Sequence, residues 1–313
     1  MQYNFKKSLF PLLLLSLLLS FSCNNNSNYY NGMVSSAHPI ASKIGLDILK
    51  NGGNAFDAAI AVHFALSVVY PNAGNIGGGG FLVYRLNNGD IGTLDFREKA
   101  PEKSYRDMYI DDIEGELKVD DKRSKFGHLA SGVPGSVDGM VKIYDKFSTV
   151  DWKTLLEPSI KVAREGFGVT EKQAKGLNNV KKSLVSANDH PIPFVKEDQW
   201  KVGDILTQKN LANTLEEIKK SKRNGFYKGA VAELIINEMK SGGGIITQSD
   251  LDNYSSVWRE PVIGYFKNHK IISMGPPSSG GIALVQLLHG AEQLETKKYD
   301  HNSLEYINTI TEI

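Results

Sequence analysis

Residues 76–101 read IGGGGFLVYRLNNGDIGTLDFREKAP, and they carry the clearest local fold signal of the chain. The four glycines at 77–80 allow close backbone approach just before an apolar run. The Asn-Gly pair at 88–89 lies between two apolar runs, which is the strongest short-range signal for a β-hairpin. Because side chains alternate between the two faces of a strand, Asp95 and Arg97 are expected on one face at the end of the second strand.

The arginine at the end of this hairpin can be interpreted in two ways. A guanidinium group matches a carboxylate through two parallel hydrogen bonds. From these residues alone, Arg97 is interpreted as the salt-bridge partner of Asp95 or Glu98. The alternative is that it binds a carboxylate of a substrate.

The remaining pattern predicts helices packed against antiparallel strands, an α/β (α+β) fold class. Residues 32–36 are predicted to form a short strand, and a helix is expected to begin at His38-Pro39. Residues 55–70 are apolar nearly all round, which is typical of a helix buried in a core. Further helices are predicted at 152–164, 211–220, 230–239 and 282–294, and a strand pair at 261–265 and 270–274. The charged segment 102–127 and residues 184–206 are expected to be irregular surface.

Composition and motifs exclude several classes of function. The net charge of +1 over 313 residues provides no electrostatic basis for binding nucleic acid. The seven histidines show no metal-ligand spacing, and neither a phosphate loop nor a nucleophile elbow is present, so no metal or cofactor is predicted. The glycine-rich loop 131–139 leads into a predicted helix, and a tight turn is favoured over an anion site because the loop has no basic residue.

The N-terminus predicts export. Residues 1–23 combine two lysines, a short apolar run and small residues, as a secretory signal does. Cys23, the only cysteine, lies where the lipobox of bacterial lipoproteins places its lipidated residue, followed by a polar tether at 24–31. We therefore predict a bacterial periplasmic protein or an outer-membrane lipoprotein whose lipid anchor is attached to Cys23. A plain signal peptide cut near Ser22 is the alternative.

Six motifs, in order, resemble the gamma-glutamyltranspeptidase family. They cover nearly all of the predicted domain at 32–313, and they are MVSSAHP with GGNAFDAA (33–59), NIGGGGF (75–81), LDFREKAP (94–101), SGVPG (131–135), GFYKG (225–229) and PPSSGG (276–281).

The resemblance implies a fold, a reaction and one site residue. The fold is the αββα sandwich of N-terminal-nucleophile hydrolases, here its large-subunit part only. The family transfers the γ-glutamyl group of glutathione and similar compounds to water, amino acids or peptides. Its nucleophile is the N-terminal threonine of a small subunit, activated by its own amine. The resemblance places Arg97 on the α-carboxylate of the γ-glutamyl group, with Asp95 holding the guanidinium in place.

The chain departs from the family pattern in one respect. The family's nucleophile lies in a stretch with a Thr-Thr pair, and this chain contains no such pair. No catalytic residue is therefore predicted here. The chain is expected to be inactive alone, as the product of a truncated or split gene. Ser278 and Ser279 are expected to shape a turn and cap a helix.

Two alternatives to this function stay open. A cephalosporin- or glutaryl-type acylase has the same fold and fits the same arginine motif. A non-enzymatic remnant that only binds, or a product that does not fold, is the other alternative. Half of a sandwich would expose apolar area, including the faces of helix 55–70.

Overall fold

The computed structural model describes residues 32–113, 116–119 and 122–313. The predicted signal at 1–23, the lipidated Cys23 and the tether at 24–31 lie outside these ranges. Among the described residues, no helix has the length and apolar character needed to cross a bilayer.

Helices contain more of the described residues than strands do. In chain order they are α1 (Pro39–Lys50), α2 (Ala55–Val69), α3 (Ser136–Phe147), α4 (Trp152–Glu165), α5 (Glu171–Ser186), α6 (Lys209–Ser221), α7 (Asn224–Tyr227), α8 (Gly229–Ser241), α9 (Gln248–Asn253), α10 (Gly280–Gln293) and α11 (Leu304–Glu312). Short 3₁₀ turns lie at His128–Ala130 and Thr296–Lys298.

The strands are short and antiparallel. They are β1 (Phe81–Arg85), β2 (Ile91–Asp95), β3 (Ile110–Ile113), β4 (Glu116–Val119), β5 (Phe167–Gly168), β6 (Ile205–Leu206), β7 (Val257–Arg259), β8 (Val262–Phe266) and β9 (His269–Ser273). The described strands form one sheet in the order β1-β2-β7, and the pairs β3-β4, β5-β6 and β8-β9.

The hairpin predicted from residues 76–101 is confirmed. Phe81 lies opposite Asp95 in the register of β1 and β2. The connecting turn places Gly89 at a φ of +95°, a conformation that favours glycine. The third strand, β7, pairs with the other side of β2 and places Arg259 opposite Thr93. A residue far along the chain thus lies next to the end of the hairpin.

Helix α2 lies in the core, as its apolar sequence predicts. Phe64 and Val68 are fully buried, and α1, α3 and α4 pack around the helix. The expectation that the faces of helix 55–70 would be exposed is wrong, because these three helices of the same chain cover most of them.

Three local features of the structure differ from what the sequence predicts. Residues 32–36 form no strand. Helix α5 was not predicted, since it buries Ala174 alone and so lacks a clear apolar stripe. The charged segment 102–127 contains the antiparallel strand pair β3-β4.

Candidate substrate-binding site

Arg97 lies on the turn that follows β2, and its side chain is exposed. Within the part of the chain that the structure describes, its guanidinium group makes no hydrogen bond and no ion pair. An unpaired guanidinium at the surface is available for a carboxylate from outside the chain.

Asp95 contacts Arg97, but through the main chain. Its Oδ1 accepts a hydrogen bond from the backbone N–H of Arg97 at 3.0 Å. Its Oδ2 accepts one from Nε of Arg259 at 2.8 Å. The expected contact between Asp95 and the Arg97 guanidinium is therefore not formed, and neither is a salt bridge from Arg97 to Glu98. Asp95 faces Val257 on β7, so Arg259 is its diagonal cross-strand neighbour and reaches its carboxylate.

The carbonyl of Arg97 is held from a second direction. The hydroxyl of Tyr254 donates a hydrogen bond to it at 2.8 Å. The ring of Tyr254 stacks on that of Tyr227, with centroids 5.8 Å apart. Burial, with the nearby carboxylates of Asp138, Asp95 and Glu98, raises the pKa of Tyr254. The hydroxyl therefore keeps its proton at neutral pH and remains a donor.

Two glycines let other segments approach this turn. A Cβ on Gly79 would lie 2.6 Å from the carbonyl oxygen of Phe96 and 2.8 Å from Cα of Arg97. A Cβ on Gly135 would lie 2.0 Å from the hydroxyl oxygen of Tyr254 and 2.1 Å from the same Phe96 oxygen. Atoms do not approach so closely without displacement, so the turn depends on glycine at both positions.

In the glycine-rich segment 131–139, residues 131–135 are irregular with one bridge from Val133 to Lys99, and α3 begins at Ser136. The N–H groups of Gly135 and Ser136 both donate to the carbonyl of Gly78, at 2.8 and 3.0 Å. The first turn of α3 is thus occupied by the tetraglycine backbone, which joins the hairpin to the helix.

A buried carboxylate anchors the segment that carries Tyr254. Asp138 accepts hydrogen bonds from Nε of Arg223 at 2.8 Å and from the backbone N–H of Ser256 at 2.8 Å. Arg223 also donates to the carbonyl of Tyr254 at 2.6 Å. Burying a carboxylate is favourable only when it is paired and hydrogen-bonded, and Asp138 is both.

The two serines expected to shape a turn and cap a helix lie just before α10. Ser278 Oγ accepts a hydrogen bond from the N–H of Gly280 at 3.2 Å, whereas Ser279, the N-cap residue, makes no side-chain capping hydrogen bond. No cluster of three or more histidine, cysteine, aspartate or glutamate side chains arranged for a metal occurs in the described ranges.

Sequence reasoning found Arg97 but missed the residues that hold it. Tyr254 lies 157 positions after Arg97, and Arg259 lies 164 positions after Asp95. Neither residue belongs to a recognised motif, so only the fold brings them to this turn.

Comparison with known proteins agrees with the motif resemblance. A family model described as Gamma-glutamyltranspeptidase matches residues 41–313. A glutathione hydrolase proenzyme from Escherichia coli strain K12 is 43% identical over 283 residues, which is 90% of this chain and 48% of the relative. The chain spans about half the length of the curated relatives it matches.

Solved structures show the same fold. The crystal structure of Helicobacter pylori gamma-glutamyltranspeptidase has a TM-score of 0.86 and 44% identity, covering 90% of this chain and 80% of that one. A cephalosporin acylase from Bacillus halodurans has a TM-score of 0.75 and 24% identity, covering 88% of this chain and 51% of that one, and shows the fold alone. The predicted α/β fold of the N-terminal-nucleophile hydrolase type is confirmed.

Proposed function

The chain belongs to the gamma-glutamyltranspeptidase family, and from that premise we propose that it binds the γ-glutamyl group of glutathione and related amides through Arg97. The guanidinium group receives the α-carboxylate of that group in two parallel hydrogen bonds. Asp95 supports the site by fixing the backbone of Arg97.

One observation carries this proposal. The guanidinium of Arg97 is exposed and unpaired among the described residues, while the N–H and the carbonyl of the same residue are both hydrogen-bonded. Because the backbone of Arg97 is fixed, the conformational entropy lost on binding is confined to the torsions of its side chain.

Catalysis requires groups that we do not assign to this chain. The relatives extend over about twice its length, and we infer that the threonine nucleophile belongs to a small-subunit region there. Residues 1–313 alone are then expected to bind γ-glutamyl compounds without hydrolysing them. Release of p-nitroaniline from γ-glutamyl-p-nitroanilide by these residues alone would contradict this inference.

Exposed apolar side chains on the C-terminal elements support the inference that a further region of protein packs there. They lie on the C-terminal elements β8, α10 and α11, and they are Ile263, Tyr265, Ile282, Leu284, Leu287, Leu304, Ile307 and Ile310. Exposed apolar surface of this kind marks an interaction site. We infer that the small-subunit region covers it.

The substitution Arg97→Lys in the complete protein tests the substrate role. Lysine keeps the positive charge but lacks the two parallel N–H donors of the guanidinium group. KM for γ-glutamyl-p-nitroanilide should therefore rise by roughly 10- to 100-fold, which corresponds to a loss of about 1.5–3 kcal/mol in binding free energy. Arg106→Lys is the matched control, because that side chain is 95% exposed and lies outside the site. An unchanged KM in Arg97→Lys would refute the assignment.

The acylase alternative predicts a different preference. Glutaryl-p-nitroanilide keeps the terminal carboxylate that Arg97 would bind but lacks the α-amine. A γ-glutamyl hydrolase should prefer γ-glutamyl-p-nitroanilide. When the glutaryl compound binds instead, the polar groups of the site that would pair with the α-amine have no partner. Preference for the glutaryl substrate would favour the acylase.

We also propose that the protein is exported and that Cys23 carries a lipid anchor. Mass spectrometry of the mature N-terminal peptide tests this directly. Acyl groups on Cys23 are the expected result, and an unmodified N-terminus produced by cleavage near Ser22 would refute the anchor.

A further inference from the structure

We propose that the Tyr254 hydroxyl positions Arg97 for substrate binding by fixing the carbonyl of its backbone. This inference rests on the proposed function, since it assumes that Arg97 binds the γ-glutamyl α-carboxylate. It assigns a specificity role to a residue outside all six sequence motifs. Tyr254 does not touch the substrate in this scheme and acts only through Arg97.

The first support is the pattern of contacts around Arg97. Asp95 holds its N–H at 3.0 Å and Tyr254 holds its carbonyl at 2.8 Å. Each side chain fixes one of the polar backbone groups, so the turn has little freedom to rotate. Because the backbone is fixed, the position of the Arg97 Cα is defined. Loss of either hydrogen bond would let the backbone, and with it the guanidinium group, shift.

The second support is the way Tyr254 is itself held. Arg223 donates to its carbonyl at 2.6 Å, and the Tyr254 side chain is 3% exposed. Tyr227 stacks on its ring, and Lys99 lies over the same ring, with Nζ 5.1 Å from the centroid. A tyrosine fixed at its ring and its backbone presents its hydroxyl in one place.

The third support is the space around the hydroxyl. Gly135 lies so close that any Cβ there would overlap the Tyr254 oxygen. The absence of a side chain at Gly135 is what allows the hydroxyl to reach the Arg97 carbonyl. Helix α3, the hairpin and residue 254 therefore meet at this hydrogen bond.

The substitution Tyr254→Phe in the complete protein tests the inference, because it keeps the ring and removes only the hydroxyl. We expect KM for γ-glutamyl-p-nitroanilide to rise about 3- to 10-fold, the effect of one lost neutral hydrogen bond, with kcat changed less than twofold. With 4-aminobutyryl-p-nitroanilide, which has the amine but no α-carboxylate, the same substitution should change nothing beyond twofold.

Tyr109→Phe is the matched control. It removes another tyrosine hydroxyl that donates to a backbone carbonyl, that of Leu129 at 3.1 Å, and Tyr109 lies outside the site. Both variants should lower the melting temperature, but only Tyr254→Phe should raise KM. Equal rises in KM for the two variants would mean a general structural effect and would overturn the inference.

A double mutant separates this inference from the proposed function. If Tyr254 acts through Arg97, Tyr254→Phe should have no further effect on KM in an Arg97→Met background. A full effect there would overturn the positioning role. If Arg97→Met alone leaves KM unchanged, the proposed function itself fails. If Arg97→Met raises KM and Tyr254→Phe does not, only the positioning role fails.

Discussion

At the scale of single residues, the site depends on what surrounds Arg97. The arginine itself was identifiable from its motif, but the structure shows Asp95 bound to its backbone and to Arg259. Gly79 supports the same turn by having no side chain. Motif resemblance could single out Arg97 as a candidate, whereas the residues that hold its backbone are brought to it only by the fold.

Gly79→Ala should disturb both stability and binding. The new methyl group would lie 2.6 Å from the Phe96 carbonyl oxygen, so the turn carrying Arg97 must shift. We expect a loss of about 1–3 kcal/mol in the free energy of unfolding, measured by urea denaturation, and a higher KM. Gly176→Ala in α5 is the control. Nothing lies within 4 Å of its Cβ position, so a gain of up to about 1 kcal/mol is expected. Equal effects of the two substitutions would contradict the close-approach explanation.

At the scale of elements, helices with an apolar stripe were predicted and a polar one was missed. Asn54 precedes α2, and its side chain accepts from the N–H groups of Phe56 and Asp57 at 2.8 and 3.0 Å, which is the cap that an asparagine favours. The hairpin was equally accessible because its turn signal is local. Helix α5 was missed because its capping residue, Thr170, precedes a mostly polar segment.

Asn54→Ala should cost more than an ordinary cap substitution. Besides capping α2, Asn54 donates from its amide to the carbonyl of Phe147 at 2.7 Å, which ties α2 to the end of α3. We expect a loss of about 2–3 kcal/mol in the free energy of unfolding, the sum of a cap and one hydrogen bond. Thr170→Ala removes a cap of similar type at an exposed position and should cost about 1 kcal/mol. A smaller loss for Asn54→Ala than for Thr170→Ala would contradict the tie between the helices.

At the scale of the whole molecule, the fold class could be predicted from local sequence patterns. Which residues meet at the candidate site could not be predicted from such patterns. Buried α2, the hairpin and the alternation of helices with antiparallel strands were predictable because each depends on nearby residues. The joining of β7 to β2 brings residues more than 150 positions apart together. No periodic pattern in the sequence indicates that β7 pairs with β2.

The core also makes the stability of the whole molecule sensitive to acid. His63 lies in α2 with its Nε2 buried and unpartnered among the described residues. Burial lowers the pKa of His63 to about 4 from an ordinary value of 6.5. Between these values the unfolded chain takes up a proton that the folded chain does not. Stability is therefore full above pH 6.5 and falls as the pH drops toward 4, by on the order of 3 kcal/mol.

Urea denaturation between pH 7.5 and 4 tests this dependence. The free energy of unfolding should fall less steeply with decreasing pH in His63→Leu than in the unsubstituted protein. His190→Leu is the control, because that side chain is exposed and should leave the slope unchanged. An unaltered slope in His63→Leu would exclude His63 as the source.

We propose that Arg97 binds the α-carboxylate of the γ-glutamyl group, and the other predictions for this site depend on that contact. The contact is tested by the ratio of kcat/KM for γ-glutamyl-p-nitroanilide to that for 4-aminobutyryl-p-nitroanilide, measured for the complete protein and its Arg97→Met variant. The unsubstituted protein should prefer the substrate with the carboxylate, and Arg97→Met should lose roughly 10- to 100-fold of that preference. A ratio unchanged by Arg97→Met would contradict the claim.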